Sequence, residues 1–315
     1  MATYLVTGGA GFIGSHLCDA LLRRGDSVRV LDDLSTGSRD NLPAAVTLIE
    51  GNIAEPAVMA AALQGVDGCF HLAAIASVQK GVTDWVGTHR TNLTGTITLF
   101  EAIRRGGTIP VVYASSAAVY GDAASVPIGE DTDRRPLSAY GADKYGCELH
   151  ARVAGHVHGI PSTGLRFFNV YGPRQDPRSP YSGVISIFCQ RVAGGEPIDV
   201  FGDGRQTRDF ICVDDVVTAL LAAMQRATTQ APVFNVCTGI PTSVLELAQL
   251  IARLSGRQVE IRHQASRPGE IRHSTGRPDR ARAELELPPP ILLQDGLPGV
   301  LAWMRRGSEG AACSS

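Results

Sequence analysis

Short apolar runs alternate with longer segments of helical spacing over the first half of the chain. The runs have the length of strands and lie at residues 4–6, 28–31, 46–49, 69–72 and 111–114. Between them, apolar positions recur at helical spacing over residues 13–24 and 92–104. Strands that alternate with helices in this way predict a doubly wound parallel α/β sheet of the Rossmann type, with helices on both faces.

The pattern loosens after residue 166, where glycine and proline interrupt the chain repeatedly. We predict two paired strands here, at 198–201 and 210–213, and two helices, at 213–225 and 243–254. The expected organisation is a larger domain over residues 1–166 to which parts of 210–240 return, a smaller α/β substrate lobe over 167–306, and a disordered tail over 307–315.

The composition excludes several classes of protein. The 29 Lys and Arg residues against 31 Asp and Glu leave a formal net charge of −2, without the positive surplus by which proteins bind nucleic acid. No apolar run reaches the ~20 residues of a membrane span, and the amino terminus does not resemble a secretory signal. The seven cysteines are scattered, and neither they nor the eight histidines have metal-ligand spacing. We therefore expect a cytoplasmic protein with reduced, buried cysteines and no metal site.

Three glycines follow the first predicted strand, at the start of the first helix. Gly8 permits a tight turn, Gly11 lets a pyrophosphate approach the main chain, and Gly14 lets the helix pack on the strand. The amino terminus of that helix would offer N–H groups and a partial positive charge to the phosphates. The second strand ends at Asp32 and Asp33, where an acidic residue binds the adenosine ribose in folds of this kind.

The acidic residue also indicates which dinucleotide is bound. The carboxylate of Asp32 would repel a 2′-phosphate, and the segment 35–37 contains no arginine that could bind one. Arg39 is the nearest residue that could reverse this preference. The sequence therefore favours NAD over NADP.

A tyrosine and a lysine lie four residues apart at the start of another predicted helix. This spacing puts Tyr140 and Lys144 on one face, where the ammonium favours the phenolate form of the tyrosine. Ser115 and Ser116 follow the strand at 111–114, at the carboxyl edge of the sheet where ligands bind in open α/β folds. Serine, tyrosine and lysine together suit removal of a proton from an alcohol coupled to loss of a hydride from its carbon.

These motifs resemble those of the extended short-chain dehydrogenase/reductases, and in particular the nucleotide-sugar 4-epimerases. The similarity extends over nearly the whole chain and includes the segments 7–14, 115–121, 140–144, 166–173, 201–204, 207–210 and 267–270. It implies an NAD-dependent enzyme that oxidises C4 of a UDP-hexose to a 4-keto intermediate and reduces it again on the opposite face. It also implies a homodimer, with the helices at 92–104 and 140–156 as candidate interface elements.

The resemblance assigns roles to individual residues. Tyr140 would act as the base, Lys144 would favour the phenolate and hold the nicotinamide ribose, and Ser116 would hydrogen-bond the 4-oxygen. The positions implied for the cofactor are Gly8, Gly11, Phe12, Ile13, Gly14, Asp32, Asp33, Asn52, Ile53, Leu72, Ala73, Ala74, Asn92, Tyr140, Lys144 and Phe167. Those implied for the UDP-sugar are Ser116, Asn169, Val184, Val200, Phe201, Arg208, Arg267 and Ser274. Of these, Asn169, Arg208 and Arg267 match positions that bind the nucleotide diphosphate.

Several positions depart from the patterns of related enzymes. Ala117 and Ala118 stand where 4,6-dehydratases carry an acidic pair, and decarboxylases tend to carry a glutamate at the second position. Without these acids, neither water elimination nor decarboxylation has its additional proton carrier. Asn52 and Arg277 each stand where an aspartate is common, and nothing in the sequence explains Arg277.

The sugar is predicted from the residue seven positions after Arg267. In the family this position lines the pocket for the C2 substituent, and Ser274 leaves room there for an N-acetyl group. We therefore expect UDP-GlcNAc and UDP-GalNAc as substrates beside UDP-Glc and UDP-Gal. Three alternatives stay open: a UDP-glucuronate 4-epimerase in which Arg178 meets the C6 carboxylate, an NAD(P)-dependent nucleotide-sugar reductase or dehydrogenase that releases its cofactor, and a non-catalytic sensor.

Overall fold

The computed structural model describes residues 1–177, 183–266 and 271–312. The strands of this part of the chain are β1 Thr3–Thr7, β2 Ser27–Asp32, β3 Thr47–Glu50, β4 Gly68–His71, β5 Val111–Ser116, β6 Ser162–Phe167, β7 Asn169–Tyr171, β8 Ile198–Phe201, β9 Thr207–Cys212, β10 Val233–Val236, β11 Pro241–Ser243, β12 Ile261–Gln264 and β13 His273–Ser274. Its α-helices are α1 Phe12–Arg23, α2 Pro56–Ala62, α3 Val78–Thr83, α4 Trp85–His89, α5 Gly95–Gly106, α6 Ala139–His158, α7 Val184–Ala193, α8 Val213–Gln225, α9 Val244–Ser255, α10 Asp279–Glu284 and α11 Leu293–Ala312.

Seven strands form one parallel sheet in the order β10-β6-β5-β4-β1-β2-β3. This confirms the predicted fold. β2 and β3 lie on one side of β1, and β4, β5, β6 and β10 lie on its other side. The neighbouring strands β1 and β4 are therefore followed by loops that lead in opposite directions. In open α/β sheets, such a reversal leaves a crevice at the carboxyl ends of the strands, where ligands bind.

Both faces of the sheet are buried, because consecutive residues of its strands point to opposite sides. Val6 belongs to the core beneath α1 and α8, together with Leu17 and Leu220. Its neighbour Leu5 belongs to the core on the other face, with residues of α2, α5 and α6 such as Leu99. Near-continuous apolar strands are therefore required, as the sequence shows.

The smaller sheets lie in the C-terminal half, and their pairing corrects one prediction. The strands predicted to pair with each other lie in different sheets: β8 pairs with β12, whereas β9 pairs with β7, β11 and β13. A local pattern identifies a strand but not its partner, and the partners of β8 and β9 come from other parts of the sequence. β10 lies at the edge of the large sheet, beside β6.

Two helices differ from their predicted extent. A π-helical turn at Arg90–Thr94 precedes α5, which continues to Gly106. At the C-terminus, α11 continues to Ala312, beyond residue 307, from which a disordered tail is expected. Once buried residues such as Leu301 fix the first turns, extending a helix is easier than starting one. Residues 313–315 lie outside the described part.

The described cysteines are all buried and form no disulfides. Within the described ranges, no group of three or more His, Cys, Asp or Glu side chains could hold a metal ion. None of the helices described is both long enough and apolar enough to traverse a lipid bilayer.

Candidate active site

The glycine turn joins β1 to α1 and contacts the end of β4. Gly8 has a φ of +70°, and a Cβ atom there would lie 2.7 Å from the main chain of Ala73. A Cβ atom on Gly14 would lie 2.2 Å from the carbonyl oxygen of Gly8. Side chains at these positions would therefore separate the turn from α1 or from the loop after β4.

Gly11 is the residue through which this turn can meet a ligand. A Cβ atom there would have a single non-neighbouring contact within 4 Å, the Gly8 carbonyl at 3.2 Å. Gly11 is also the N-cap of α1 and has no side chain to accept hydrogen bonds from the first N–H groups. These groups and the positive end of the helix suit the pyrophosphate of NAD, so this part of the structure fits the cofactor.

Asp32 fixes the turn from the end of β2. Its carboxylate accepts hydrogen bonds from the N–H groups of Ala10 and Leu34, both at 2.9 Å. Burial raises the pKa of the Asp32 carboxyl, and these hydrogen bonds oppose that rise. Each oxygen keeps a further lone pair, which a ribose hydroxyl can use.

The arginine that could have favoured NADP is engaged elsewhere. Arg39 forms an ion pair with Glu50 of β3, and it does not line the cavity described below. Asp33 accepts hydrogen bonds from the N–H group of Ser35, at 3.0 Å, and from its hydroxyl. Carboxylates at both positions, with the nearby guanidinium neutralised, disfavour a 2′-phosphate.

A cavity of about 1120 Å3 runs from the glycine turn to the carboxyl ends of β5 and β6. This exceeds the roughly 300–1,000 Å3 of most small-molecule sites, as a dinucleotide and a second ligand together require. The predicted residues that line it are Gly8, Gly11, Phe12, Ile13, Gly14, Asp32, Asp33, Ile53, Leu72, Ala73, Ala74, Ser116, Tyr140, Lys144, Phe167 and Asn169. Helices α7 and α11 of the C-terminal half supply part of the wall, through residues such as Gln190 and Trp303.

The two serines at the end of β5 have different environments. Ser115 is buried and donates its hydroxyl to Glu148 of α6 at 2.5 Å. The Ser116 hydroxyl oxygen accepts a hydrogen bond from the N–H group of Ala118 at 3.1 Å, which caps the 3-10 turn Ala117–Tyr120. Because that bond uses a lone pair, the Ser116 hydroxyl proton can be donated to a ligand in the cavity.

Tyr140 and Lys144 lie one turn apart at the start of α6. The helix begins after Ser138, whose hydroxyl accepts a hydrogen bond from the N–H group of Gly141 at 3.1 Å. The Lys144 ammonium is 3% exposed and donates to the Ala114 carbonyl at 2.9 Å. Its Nζ atom lies 5.9 Å from the centroid of the Tyr140 ring. Among the described residues, Lys144 forms no ion pair, so the charge can act on a phenolate or on ribose hydroxyls.

Behind these residues lies a buried ion pair that the sequence did not reveal. Glu148, one turn after Lys144, accepts two hydrogen bonds from Arg166 of β6, at 2.8 and 2.7 Å. Arg166 also donates to the hydroxyl of Tyr120 at 2.7 Å. The pair joins α6 to β5 and β6 and so holds the tyrosine and lysine beside the strand ends. No local pattern identifies such a partner, because the two residues meet only through the sheet.

Arg174 lines the cavity and is a further residue that the sequence did not reveal. It follows Gly172 and Pro173 directly, adopts a φ of +66°, and pairs with Asp19 of α1 at 2.5 Å. One of its terminal nitrogens is buried without a hydrogen-bond partner among the described residues. A guanidinium held by α1 and facing the cavity could bind a phosphate group.

Several predicted site residues do not line this cavity. The side chain of Val200 is completely buried in the core of the C-terminal half, since alternate residues of β8 point inward, so a contact of Val200 with substrate stays a prediction for its main chain alone. The Asn52 side chain accepts a hydrogen bond from the N–H group of Ala54 at 2.8 Å, within its own turn. The remaining contacts stay predictions, namely those of Val184, Phe201, Arg208 and Ser274, which lie elsewhere in the C-terminal half, and of Arg267, which lies outside the described residues.

Asn92 supports the cavity without lining it. Its side chain accepts a hydrogen bond from the N–H group of Ile75 at 2.8 Å and donates to the Ile75 carbonyl at 3.2 Å. Ile75 belongs to the loop after β4, which lines the cavity. Asn92 therefore holds the loop in place, and its direct contact with the cofactor stays a prediction.

Comparisons with known proteins agree with this geometry. A UDP-glucose 4-epimerase of Mycolicibacterium smegmatis is 37% identical over 312 residues, which cover 97% of this chain and 99% of the relative. The structure of a UDP-glucose 4-epimerase from Thermotoga maritima with UDP-glucose matches with a TM-score of 0.93 at 36% identity, over 97% of this chain and 99% of that one. A UDP-N-acetylglucosamine 4-epimerase of Methanobrevibacter ruminantium, in complex with UDP-N-acetylmuramic acid, matches with a TM-score of 0.91 at 32% identity over the same shares.

The family model described as the NAD dependent epimerase/dehydratase family matches residues 4–237, which contain the glycine turn, the strand-end serines and the Tyr140–Lys144 pair. With that match and these relatives, the chain belongs to the NAD dependent epimerase/dehydratase family.

Proposed function

We propose that the protein is an NAD-dependent 4-epimerase of UDP-hexoses, which interconverts UDP-GlcNAc with UDP-GalNAc and UDP-Glc with UDP-Gal. The observation that carries this proposal is that Ser116, Tyr140 and Lys144 line the cavity that begins at the glycine turn. The names of the three relatives reported above support the same reaction.

The proposed chemistry needs one base and two supporting groups. NAD, held at the glycine turn and Asp32, would supply the acceptor and donor of the hydride at C4 of the sugar. Tyr140 takes the proton of the 4-hydroxyl group as C4 is oxidised and gives it back when the 4-keto sugar is reduced. The buried ammonium of Lys144 favours the phenolate, and Ser116 donates its hydroxyl proton to the 4-oxygen.

The turn after β5 favours epimerisation over elimination or decarboxylation. Ala117 and Ala118 begin the 3-10 turn that Ser116 caps, and neither side chain can carry a proton. The carboxylates among the described cavity-lining residues, Asp32, Asp33, Asp176 and Glu196, lie on other parts of the chain. A reaction that needs a second proton carrier beside the serine is therefore disfavoured.

The N-acetylated sugars are proposed from Ser274. This residue lies on β13, opposite Arg208 of β9, and we propose that its small side chain leaves room for a C2 substituent. Ser274→Tyr is expected to reduce turnover of UDP-GlcNAc while turnover of UDP-Glc is retained. Equal turnover of UDP-GlcNAc by the variant and the wild type would exclude Ser274 as the selective residue. The glucuronate alternative depends on Arg178, which lies outside the described residues.

We also propose a homodimer formed through α5 and α6. On α6, Ala151 is buried against the sheet, whereas Leu149, Val153 and Val157 follow at intervals of four residues on the opposite face and are 43%, 52% and 61% exposed. Ile97 of α5 extends this apolar face. A second copy of the chain can cover it symmetrically, since a two-fold axis brings the same patch against itself.

The catalytic assignment is tested by removing one hydroxyl group. Tyr140→Phe is expected to lower turnover by roughly 10²- to 10⁴-fold, the usual contribution of a positioned acid–base group, while bound NAD is retained. Tyr145→Phe, on the same helix but away from the cavity lining, is the matched control and should change turnover little. Full turnover by Tyr140→Phe would exclude the proposed mechanism.

A further inference from the structure

A buried row of three side chains passes behind the cofactor end of the cavity. The hydroxyl of Thr7, at the end of β1, lies 2.8 Å from Nδ1 of His71, at the end of β4. Nε2 of His71 lies 3.0 Å from the hydroxyl of Thr96 in α5. The three residues, which we term the polar bridge, are 0%, 3% and 1% exposed. Each polar atom must therefore find its partner within the protein.

The direction of the hydrogen bonds follows from the Thr96 end. The Thr96 hydroxyl lies 2.7 Å from the main-chain carbonyl of Asn92, which can only accept, so Thr96 donates there. If Thr96 instead donated to His71, two oxygen lone pairs would face each other at 2.7 Å. The Thr96 oxygen therefore accepts from His71, and the proton of the imidazole lies on Nε2.

The hydrogen bonds at the other end of the polar bridge have the same direction. In a neutral imidazole protonated on Nε2, Nδ1 accepts, so the Thr7 hydroxyl donates to it. The Thr7 oxygen then accepts a hydrogen bond from the N–H group of Ala73 at 3.2 Å. The hydrogen bonds thus run in one direction from the Ala73 N–H group to the Asn92 carbonyl.

A protonated imidazole would break this order. Nδ1 would then donate toward Thr7, whose oxygen already receives the Ala73 N–H group, and the Thr7 proton would lose its acceptor. Burial, followed by the charge of Lys144, lowers the pKa of His71 to about 3, which keeps the ring neutral. Cys147 of α6 also donates to the Asn92 carbonyl, at 3.3 Å.

The polar bridge holds the loop that lines the cofactor end of the cavity. Its first contact is the N–H group of Ala73, which lies so near Gly8 of the glycine turn that an added Cβ atom there would be 2.7 Å away. At its far end, Asn92 binds both main-chain groups of Ile75, two residues further along the same loop. The loop is therefore fixed at two points by residues that are themselves joined through His71.

We propose that His71 is a positioning residue, whose neutral Nε2–H tautomer fixes the loop at residues 72–77 against the glycine turn and thereby sets the affinity for the dinucleotide. The residue acts through Thr7 and Thr96 and not by touching the cofactor. The proposal deepens the proposed function, since it assumes that a dinucleotide occupies the cavity.

Nitrogen NMR of the holoenzyme labelled with nitrogen-15 in histidine tests the tautomer directly. The signals of His71 are assigned by their absence from the spectrum of His71→Gln. We expect the Nε2–H tautomer and no titration between pH 5 and pH 8. An Nδ1–H tautomer, or a signal that titrates in that range, would overturn the proposal independently of any catalytic assay.

The effect on the cofactor is tested with matched variants. His71→Phe, which keeps a ring and loses both hydrogen bonds, is expected to raise the dissociation constant of NAD about tenfold, with KM for the UDP-sugar unchanged. His71→Gln, whose amide supplies one acceptor and one donor, should recover part of the loss, and Thr96→Val should resemble His71→Phe. Cys69→Ala changes the same face of β4 and is the control for stability alone.

The outcomes separate this inference from the function on which it depends. If the wild type itself binds no NAD, the proposed function fails. If the wild type binds NAD and both His71→Phe and Thr96→Val bind it equally well, the function stands and the role of His71 is excluded. Loss of NAD in the Cys69→Ala control to the same extent would show that the effect is one of general stability, which also excludes that role.

Discussion

Replacing Gly11 by alanine is expected to separate cofactor binding from folding. The main chain at Gly11 has φ −80° and ψ −177°, which any residue adopts. An added Cβ atom would meet the Gly8 carbonyl at 3.2 Å, a contact that a shift of a few tenths of an ångström relieves. Alanine is a slightly poorer N-cap than glycine, which lowers the unfolding free energy, whereas the smaller conformational entropy of the unfolded chain raises it. We therefore expect the unfolding free energy to change by no more than about 1 kcal/mol.

The same methyl group would point toward the place proposed for the pyrophosphate. Loss of one hydrogen bond to a charged phosphate costs about 1.5–3 kcal/mol, which weakens NAD binding roughly 10- to 150-fold. Gly25 is the matched control: it has a φ of +82° and no atom within 4 Å of an added Cβ. Gly25→Ala should therefore cost about 1–2 kcal/mol of stability and leave NAD affinity unchanged.

Urea unfolding of the apo forms and calorimetric titration with NAD measure the two quantities separately. We expect lost affinity with retained stability for Gly11→Ala, and retained affinity with lost stability for Gly25→Ala. Wild-type affinity in Gly11→Ala would refute the proposed position of the pyrophosphate.

Three further predictions follow from the same structure. Arg174→Ala should weaken binding of NAD or of the UDP-sugar about tenfold, because it removes a guanidinium that faces the cavity. Titration with each ligand in turn shows which phosphate Arg174 binds. If both affinities are unchanged, Arg174 binds neither phosphate. Val153→Glu should convert the proposed dimer to a monomer by burying a charge in its interface, which light scattering after gel filtration detects. A monomeric wild type would contradict the interface. His71 should destabilise the fold at acidic pH, because its pKa is 6.5 in the unfolded chain and about 3 in the folded one. Between these two pKa values only the unfolded chain takes up the proton. The unfolding free energy therefore falls by about 1.4 kcal/mol for each pH unit below 6.5. Urea unfolding of His71→Gln at pH 6.5 and pH 5 should lack this contribution, about 2 kcal/mol over that interval.

The parts of the fold that the sequence predicts are those in which a local pattern has one physical solution. The strand, glycine turn and helix from β1 to α1 need residues with no side chain at Gly8 and Gly14, so their spacing identifies the turn. Tyr140 and Lys144 share a helix face through their spacing alone. The alternation of strands and helices then places both at the carboxyl edge of one parallel sheet.

The parts that the sequence does not predict depend on contacts between distant segments. β8 and β9 are recognisable as strands, but nothing in either indicates that β8 pairs with β12, or that β9 pairs with β7, β11 and β13. Glu148 and Arg166 become an ion pair only when α6 packs on β6. The motif that contains Val200 predicts a substrate contact, but it does not show that β8 turns this side chain into the core. His71 meets Thr7 and Thr96 only because β1, β4 and α5 come together in the fold.

Conversion of nucleotide sugars by the purified protein, without added NAD, tests the central proposal most directly. UDP-GlcNAc and UDP-Glc are incubated separately, and the C4 epimers of each are separated and quantified. We predict that both are converted, with no net change in the near-ultraviolet absorbance of the nicotinamide. Conversion of UDP-Glc alone would retain the chemistry and exclude Ser274 as the selective residue. If neither sugar is converted, even after NAD is supplied, the proposed function is contradicted.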